Sequence, residues 1–386
     1  MSYRALVVFT GAFQPFDIAE GSSRVSFPRG CPVKSFRSKA FFVFTCLSLG
    51  ASTAPLIAAQ VGSIQQAAIT AAPPVKSDVV KKDYLRPSAV PFPSDNPFTP
   101  EKLKLGKALY FDTRLSNSGS QSCASCHSPS LGWGDGLAKG VGDGMKQLKR
   151  RSPTILNAAW GSIFMWDGRA ASLEQQALGP IQAEAEMNMS LAKLLERLTS
   201  ISEYRPLFEA AFPGEGMNAT TIAKAIATFE RTVVSGWAPF DDWISGNKNA
   251  ISSSAARGFD LFVGKAGCAE CHSGWNFTDD SFHDIGMSDA DIGRAEFNKI
   301  SVKMQHAFKT PGLRDITLRG PYMHNGSLAT LEAVVDHYDQ GGVARTSRSD
   351  LIRPLGLTAQ EKADLVAFMK TLTGEAISMQ LPVLPR

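Results

Sequence analysis

From residue 99 onward apolar residues recur at helical spacing, and the period-2 alternation of strands is scarce. Thr99 suits an N-cap, Pro100 the first helical position, and Glu101 the positive end of the helix dipole. Leu103, Leu105, Ala108, Leu109 and Phe111 then supply an apolar face. Residues 191–212 and 220–234 read as amphipathic helices separated by Pro213 and Gly214, and residues 252–262 as another. Thr330 suits an N-cap for a helix in which Leu331, Val334, Val335 and Tyr338 fall on one face. Thr358 and Glu361 form a capping box ahead of Leu365, Val366, Phe368, Met369 and Leu372, and Gly374 ends that helix. The pattern predicts an all-α, mostly helical chain.

With 386 residues, 44% of them apolar and 20% charged, the chain has room for two globular domains. Residues 1–60 hold six Lys/Arg and two Asp/Glu, which leaves 34 basic and 34 acidic residues elsewhere. That balance gives no support to nucleic-acid binding, which needs a basic surface. Lys34, Arg37 and Lys39 precede an uncharged run from Ala40 to Ala59, the grammar of a secretory signal. The alternative is an uncleaved membrane anchor, weakened by Pro55. Residues 1–32 fit no signal grammar, so translation is expected to begin near Val33. Residues 61–96, rich in Ala, Pro and Ser, read as a tether.

Cysteine changes the picture. Cys31 and Cys46 lie in the leader, and the other four form Cys123/Cys126 followed by His127 and Cys268/Cys271 followed by His272. Two thiols three positions apart can add to the two vinyl groups of one haem, and the next residue then places an imidazole under the iron. This is the signature of covalent c-type haem attachment. A zinc site would need a fourth ligand nearby, and a redox dithiol needs no trailing histidine. His127 and His272 are therefore expected as iron ligands. The remaining histidines, His283, His306, His324 and His337, all lie in the second half, so the first haem has no distal histidine from its own unit. Gly140, Gly142 and Gly144 are not followed by the lysine of a phosphate loop. Outside the two motifs the halves are too dissimilar to define an internal repeat.

Beyond these motifs the chain carries Arg151-Ser152-Pro153-Thr154, Phe164-Met165-Trp166-Asp167-Gly168-Arg169, Gly179-Pro180-Ile181, Glu186-Met187, Phe308-Lys309-Thr310-Pro311 and Pro321-Tyr322-Met323-His324-Asn325-Gly326. From about Asn96 to Gly374 it thereby resembles the bacterial dihaem cytochrome c peroxidase/MauG family. The resemblance implies Trp166 as an electron relay between the haems, Gln176 and Glu186 as distal residues with Glu186 the acid/base, and Pro180 in the distal pocket. It implies Tyr338 as distal ligand of the second haem, where the peroxidases have Met and MauG has Tyr, with the adjacent His337 as the rival. The histidine that locks the resting peroxidases falls here at Asp143. The family's calcium site is compromised, because its Asn side chain falls at Arg151 and a guanidinium cannot ligate a cation. Only the backbone carbonyls of Arg319 and Pro321 would remain.

The expected organisation is a leader (1–59), a flexible linker (60–95), a first cytochrome c-like domain with the open haem (96–240) and a second with the six-coordinate haem (241–350). Residues 351–386 are expected to pack back on the first domain. The resemblance implies a periplasmic dihaem peroxidase-type oxidoreductase with two covalent c-type haems. It would react with hydrogen peroxide to form high-valent iron and oxidise a periplasmic partner protein, as MauG does. The alternative is a cytochrome c peroxidase that reduces peroxide with electrons from a small cytochrome or cupredoxin. Membrane association is expected only if the leader is uncleaved.

Overall fold

The computed structural model describes residues 81–386. The expectations for the leader, its signal and residues 60–80 fall outside the described residues. Thr99 caps the first helix, α1 (Pro100–Phe111), by accepting from the Lys102 amide at 3.2 Å. Four more helices complete this group: α2 (Leu173–Gln182), α3 (Leu191–Thr199), α4 (Tyr204–Ala211) and α5 (Ala219–Arg231). α1 lies directly on α5, because a Cβ on Gly106 would stand only 1.9 Å from the Ala225 carbonyl oxygen. Leu105, Leu109 and Tyr110 bury themselves there against Ile222, Ile226 and Phe229.

One helix was expected over residues 191–212, but it breaks between Thr199 and Tyr204. Pro206 is the physical reason. It has no N–H to give to the carbonyl four residues back, so it is tolerated only in the first turn of a new helix.

The second group comprises α6 (Pro239–Ile244), α7 (Ser253–Val263), α8 (Leu331–Gln340) and α9 (Ala359–Lys370). The strands β1 (Phe282–His283) and β2 (Phe308–Lys309) pair antiparallel, Phe282 opposite Lys309. Gly258 lets α7 close on α9, and Phe240, Phe259, Phe277 and Phe368 fill the core between them. No helix among the described residues is long and apolar enough to cross a membrane.

Two expectations need correction. The C-terminal helix α9 packs on α7 and α8 of the second group, not on the first domain, since Leu365, Phe368 and Met369 belong to the second core. Only the tail returns to the first group, where the Pro385 carbonyl accepts from Arg114 at 2.8 Å and Met379 packs on the core. Nor is the linker loose over residues 81–95. Tyr84 is buried against Phe277, with ring centroids 5.0 Å apart. Arg86 donates to the carbonyls of Ser235 and Gly236 at 2.6 and 2.7 Å. An aromatic and a guanidinium anchor this Pro-rich segment despite its lack of periodicity.

A further correction concerns repetition. Residues 151–180 and 309–338 correspond at one constant offset. Pro153 matches Pro311, and Asn157 (φ 59°) matches Asp315 (φ 56°), each ahead of a 3-10 turn. Met165 and Met323 both take φ 71°, and the bridge Phe164–Ala170 matches Tyr322–Leu328. Non-glycine residues with positive φ are uncommon, so two such coincidences in register mark a true repeat. Ser172 and Thr330 then cap helices of ten residues each, α2 and α8. Trp166 thus pairs with His324, and Pro180 with Tyr338. The repeat escapes sequence inspection because only a few of its positions, such as Pro153/Pro311, Met165/Met323 and Gly168/Gly326, keep identity, and because the stretch joining motif to repeat is longer in the second half.

Candidate haem-binding and peroxide site

Both Cys-His motifs line one cavity of about 750 Å³. Cys123–Cys126 forms a single helical turn and Cys268–Glu270 a 3-10 turn. The following histidine closes each turn, the His127 amide donating to the Cys123 carbonyl at 2.9 Å and the His272 amide to Cys268 at 2.8 Å. All four thiols are free. Burial pushes Cys126 up to about 11 and Cys268 up to about 12, and raises Cys123 as well. Reactive redox thiols have depressed pKa values, so this environment disfavours the dithiol reading.

The imidazoles are poised. His127 Nδ1 lies 2.8 Å from the Pro153 carbonyl, and His272 Nδ1 lies 2.9 Å from the Phe277 carbonyl. Burial lowers both pKa values and so favours the neutral ring. A neutral ring that donates from Nδ1 to a carbonyl keeps the lone pair on Nε2 for a metal. The chemistry of the donor set therefore fits haem at each motif.

The other expected residues also line this cavity. Trp166 donates from Nε1 to the Arg151 carbonyl at 2.9 Å and faces His324 at 6.4 Å between ring centroids. Gln176 and Pro180 lie one turn apart on α2, on one face of the helix. Glu186 follows in the loop after α2, and burial raises its carboxyl, partly opposed by the Arg169 guanidinium. The Glu186 backbone is held by the neighbouring loop, whose Asp143 amide donates to its carbonyl at 2.6 Å. Asp143 itself does not line the cavity.

On α8, Tyr338 faces the cavity, and its hydroxyl has no hydrogen-bond partner among the described residues. Burial raises this phenol strongly. His337 does not line the cavity, and its Nε2 lies 2.9 Å from the Ile285 carbonyl.

Sequence reasoning missed His283, whose Nε2 lies 2.8 Å from Asp279 Oδ2. Cys271, Asp279 and His283 bring ligand atoms within 4.8 Å of one another. No spacing in the chain announces this cluster. The donors for calcium do not fit such an ion. The Arg151 guanidinium already donates to the Arg319 carbonyl, so a dication there would meet a buried like charge.

Two helical units that present paired thiols and a poised imidazole to one cavity define a dihaem c-type protein, with a carboxyl and an amide side chain in its pocket. Residues 100–249 match the family model described as di-haem cytochrome c peroxidase, and residues 255–373 match that of cytochrome c. The chain belongs to the dihaem cytochrome c peroxidase/MauG family and is a peroxidase-type oxidoreductase whose family cofactor is haem. It is 56% identical over 309 residues to the methylamine utilization protein MauG of Methylorubrum extorquens, covering 79% of this chain and 88% of that one. A cytochrome-c peroxidase IdrP1 of Pseudomonas sp. (strain SCT) is 38% identical over 330 residues, with 76% and 85% covered. Among solved structures, a MauG-like protein associated with microbial copper homeostasis superposes with a TM-score of 0.70 at 34% identity, over 75% of this chain and 95% of that one.

Proposed function

We propose that the protein is a periplasmic MauG-like enzyme that reacts with hydrogen peroxide and oxidises a partner protein. The observation that carries this reading is Tyr338, a cavity-facing phenol with a free hydroxyl at the helical position where α2 has Pro180. The leader sequence supports export, and export suits covalent haem.

Bound haem would supply redox-active iron for peroxide cleavage and for storage of the oxidising equivalents. Cys123/Cys126 and Cys268/Cys271 would hold the two groups as thioethers, and His127 Nε2 and His272 Nε2 would ligate the iron. Pro180 carries no donor atom and so keeps the first pocket open to peroxide. Gln176 orients the peroxide. Glu186 takes the proton from the inner peroxide oxygen and returns it to the outer one, the step that general acid–base catalysis requires for O–O cleavage. Its burial raises the carboxyl's pKa, which eases return of the proton to the outer oxygen. Trp166, beside both motif walls, is the relay. Tyr338, which lines the cavity, would be the further ligand in the second pocket. Burial alone raises a phenol, so the phenolate is favoured only beside a cation, and as a ligand it would stabilise the oxidised metal.

The second reading is a cytochrome c peroxidase fed by a small cytochrome or cupredoxin. The chain's likeness to a cytochrome-c peroxidase, at 38% identity, supports it, and Glu186 and Gln176 would serve it equally. Tyr338 decides between them. Paramagnetic resonance of the ferric protein should show a low-spin signal that changes in Tyr338→Phe, and Tyr338→Met should gain steady-state peroxidase turnover with a reduced small cytochrome. Wild-type protein with fast peroxidase turnover and a low-spin signal unchanged in Tyr338→Phe would establish the second reading.

A further inference from the structure

Two buried guanidinium groups in the cavity have no carboxylate in ion-pair contact among the described residues. Arg151 and Arg319 are both buried and both line the wall shared by the two motifs. Neither forms an ion pair among the described residues, and the Nε atom of each is buried without a hydrogen-bond partner. What they do have is backbone. Arg151 donates to the Arg319 carbonyl, and Arg319 donates to the Gly312 carbonyl at 2.6 Å. The nearby acids are engaged elsewhere, Asp135 accepting from Ser152 at 2.7 Å and Asp315 from the Gly374 amide at 2.8 Å.

Such an arrangement is costly as it stands. Buried charges in proteins are paired or neutralised, and here two like charges sit together. Burial, with Arg151 next, pulls Arg319 down to about 10, and burial lowers Arg151 too. Asp135 and Asp315 offset this only in part and from a distance, so direct pairing calls for an anion that enters the cavity. A carboxylate suits it, because the guanidinium fork matches two carboxylate oxygens. Haem brings carboxylates of its own, its propionates, and the cavity is where both motifs would hold it.

We propose that Arg151 and Arg319 form a paired guanidinium site for haem propionate, set at the junction of the two motif walls. The inference rests on the dihaem reading above. Its placement ties the site to the relay as well, since the Arg151 carbonyl accepts the Trp166 indole N–H. The same residue that neutralises propionate thus fixes the ring between the motifs.

The test uses the holoprotein and three variants, Arg151→Gln, Arg319→Gln and Arg151→Lys. Pyridine haemochrome first counts the haems. Resonance Raman spectroscopy then reads the propionate-bending modes, and spectroelectrochemistry the midpoint potentials. Each Gln variant should shift a propionate mode. It should also lower the potential of at least one haem by about tenfold in the reduction equilibrium, about 59 mV for one electron, because loss of a positive charge favours ferric iron. Arg151→Lys should restore the potential but not the mode, since an ammonium keeps the charge and loses the fork. If Arg151→Gln yields no holoprotein, the Raman mode of Arg151→Lys decides alone. Two haems with unmoved propionate modes in Arg151→Lys and Arg319→Gln would overturn the site, whereas a wild-type count other than two would overturn the dihaem reading instead.

Discussion

Glu186 shows how a single side chain is tuned by what surrounds it. Burial raises its carboxyl and Arg169 partly holds it down. As a base it must be deprotonated, so the rate of reaction with peroxide should fall as pH drops through this raised pKa. Glu186→Gln keeps the shape and removes the base, and should slow the reaction by roughly 10²–10⁴-fold while erasing that pH limb. Arg169→Ala should move the limb to higher pH, because the opposing charge is gone. Stopped-flow absorbance across pH reads all three, and an undiminished rate in Glu186→Gln would assign the proton transfer elsewhere. Tyr338 is a contrasting case. Its place on the apolar face of α8 was visible in the helical phase, but the free hydroxyl that distinguishes it from a satisfied core tyrosine was not, because partner atoms come from remote parts of the chain.

Among the secondary elements, the loop that carries Glu186 is shaped by the glycine-rich segment before it. A Cβ on Gly142 would lie 1.7 Å from the Ala185 carbonyl oxygen. Gly142→Ala should push the Glu186 loop outward and slow the peroxide reaction several-fold or more, with haem content unchanged by pyridine haemochrome. Helix α5 buries Glu230 and holds its carboxyl up at about 8, from an ordinary 4.5, chiefly by desolvation. The folded protein keeps a proton there that the unfolded chain releases, so this group's contribution to stability falls as pH rises from about 4.5 to about 8. Glu230→Gln should flatten that part of the thermal-stability profile. Helix starts were readable because caps are local: Thr99, Thr330 and Thr358 all accept from their own first turn. The break before α4 and the anchoring of Tyr84 were not, since one depends on a proline inside an amphipathic pattern and the other on a pocket formed by distant phenylalanines.

For the whole molecule, the two halves are joined by charge as well as by the cavity. Arg150 binds Asp167 from its own half and, at 2.7 and 2.8 Å, Asp291 from the other. Asp167 is buried but keeps Arg169 at 2.7 Å, so Arg150→Ala should cost about 1–3 kcal/mol, the range for losing charge-assisted hydrogen bonds, read as a lowered denaturant midpoint of the holoprotein. The Arg150–Asp291 contact holds Asp291 down at about 2, despite its burial. Two haems per chain are expected, with one high-spin and one low-spin ferric signal, because Pro180 offers no ligand atom where Tyr338 does. The motifs made the cofactor legible from residue order alone. The pairing of Trp166 with His324 became visible only once backbone angles were known.

That pairing has a historical consequence. α2 and α8 are ten-residue helices that both begin at Leu and run in register to an eighth position, proline in one and tyrosine in the other. A duplicated ancestor with like halves would have had no built-in direction for charge to flow. Divergence at this position, with Gln176 and Glu186 present in one half only, gives the molecule an entrance and a reservoir, so that the flow acquires a sense, as in a rectifier. The asymmetry on which the chemistry depends is then laid over a symmetric plan, and reversing it would take exchange at Pro180 and Tyr338 together with transfer of Gln176 and Glu186, whose counterparts Val334 and Ala344 carry no such groups.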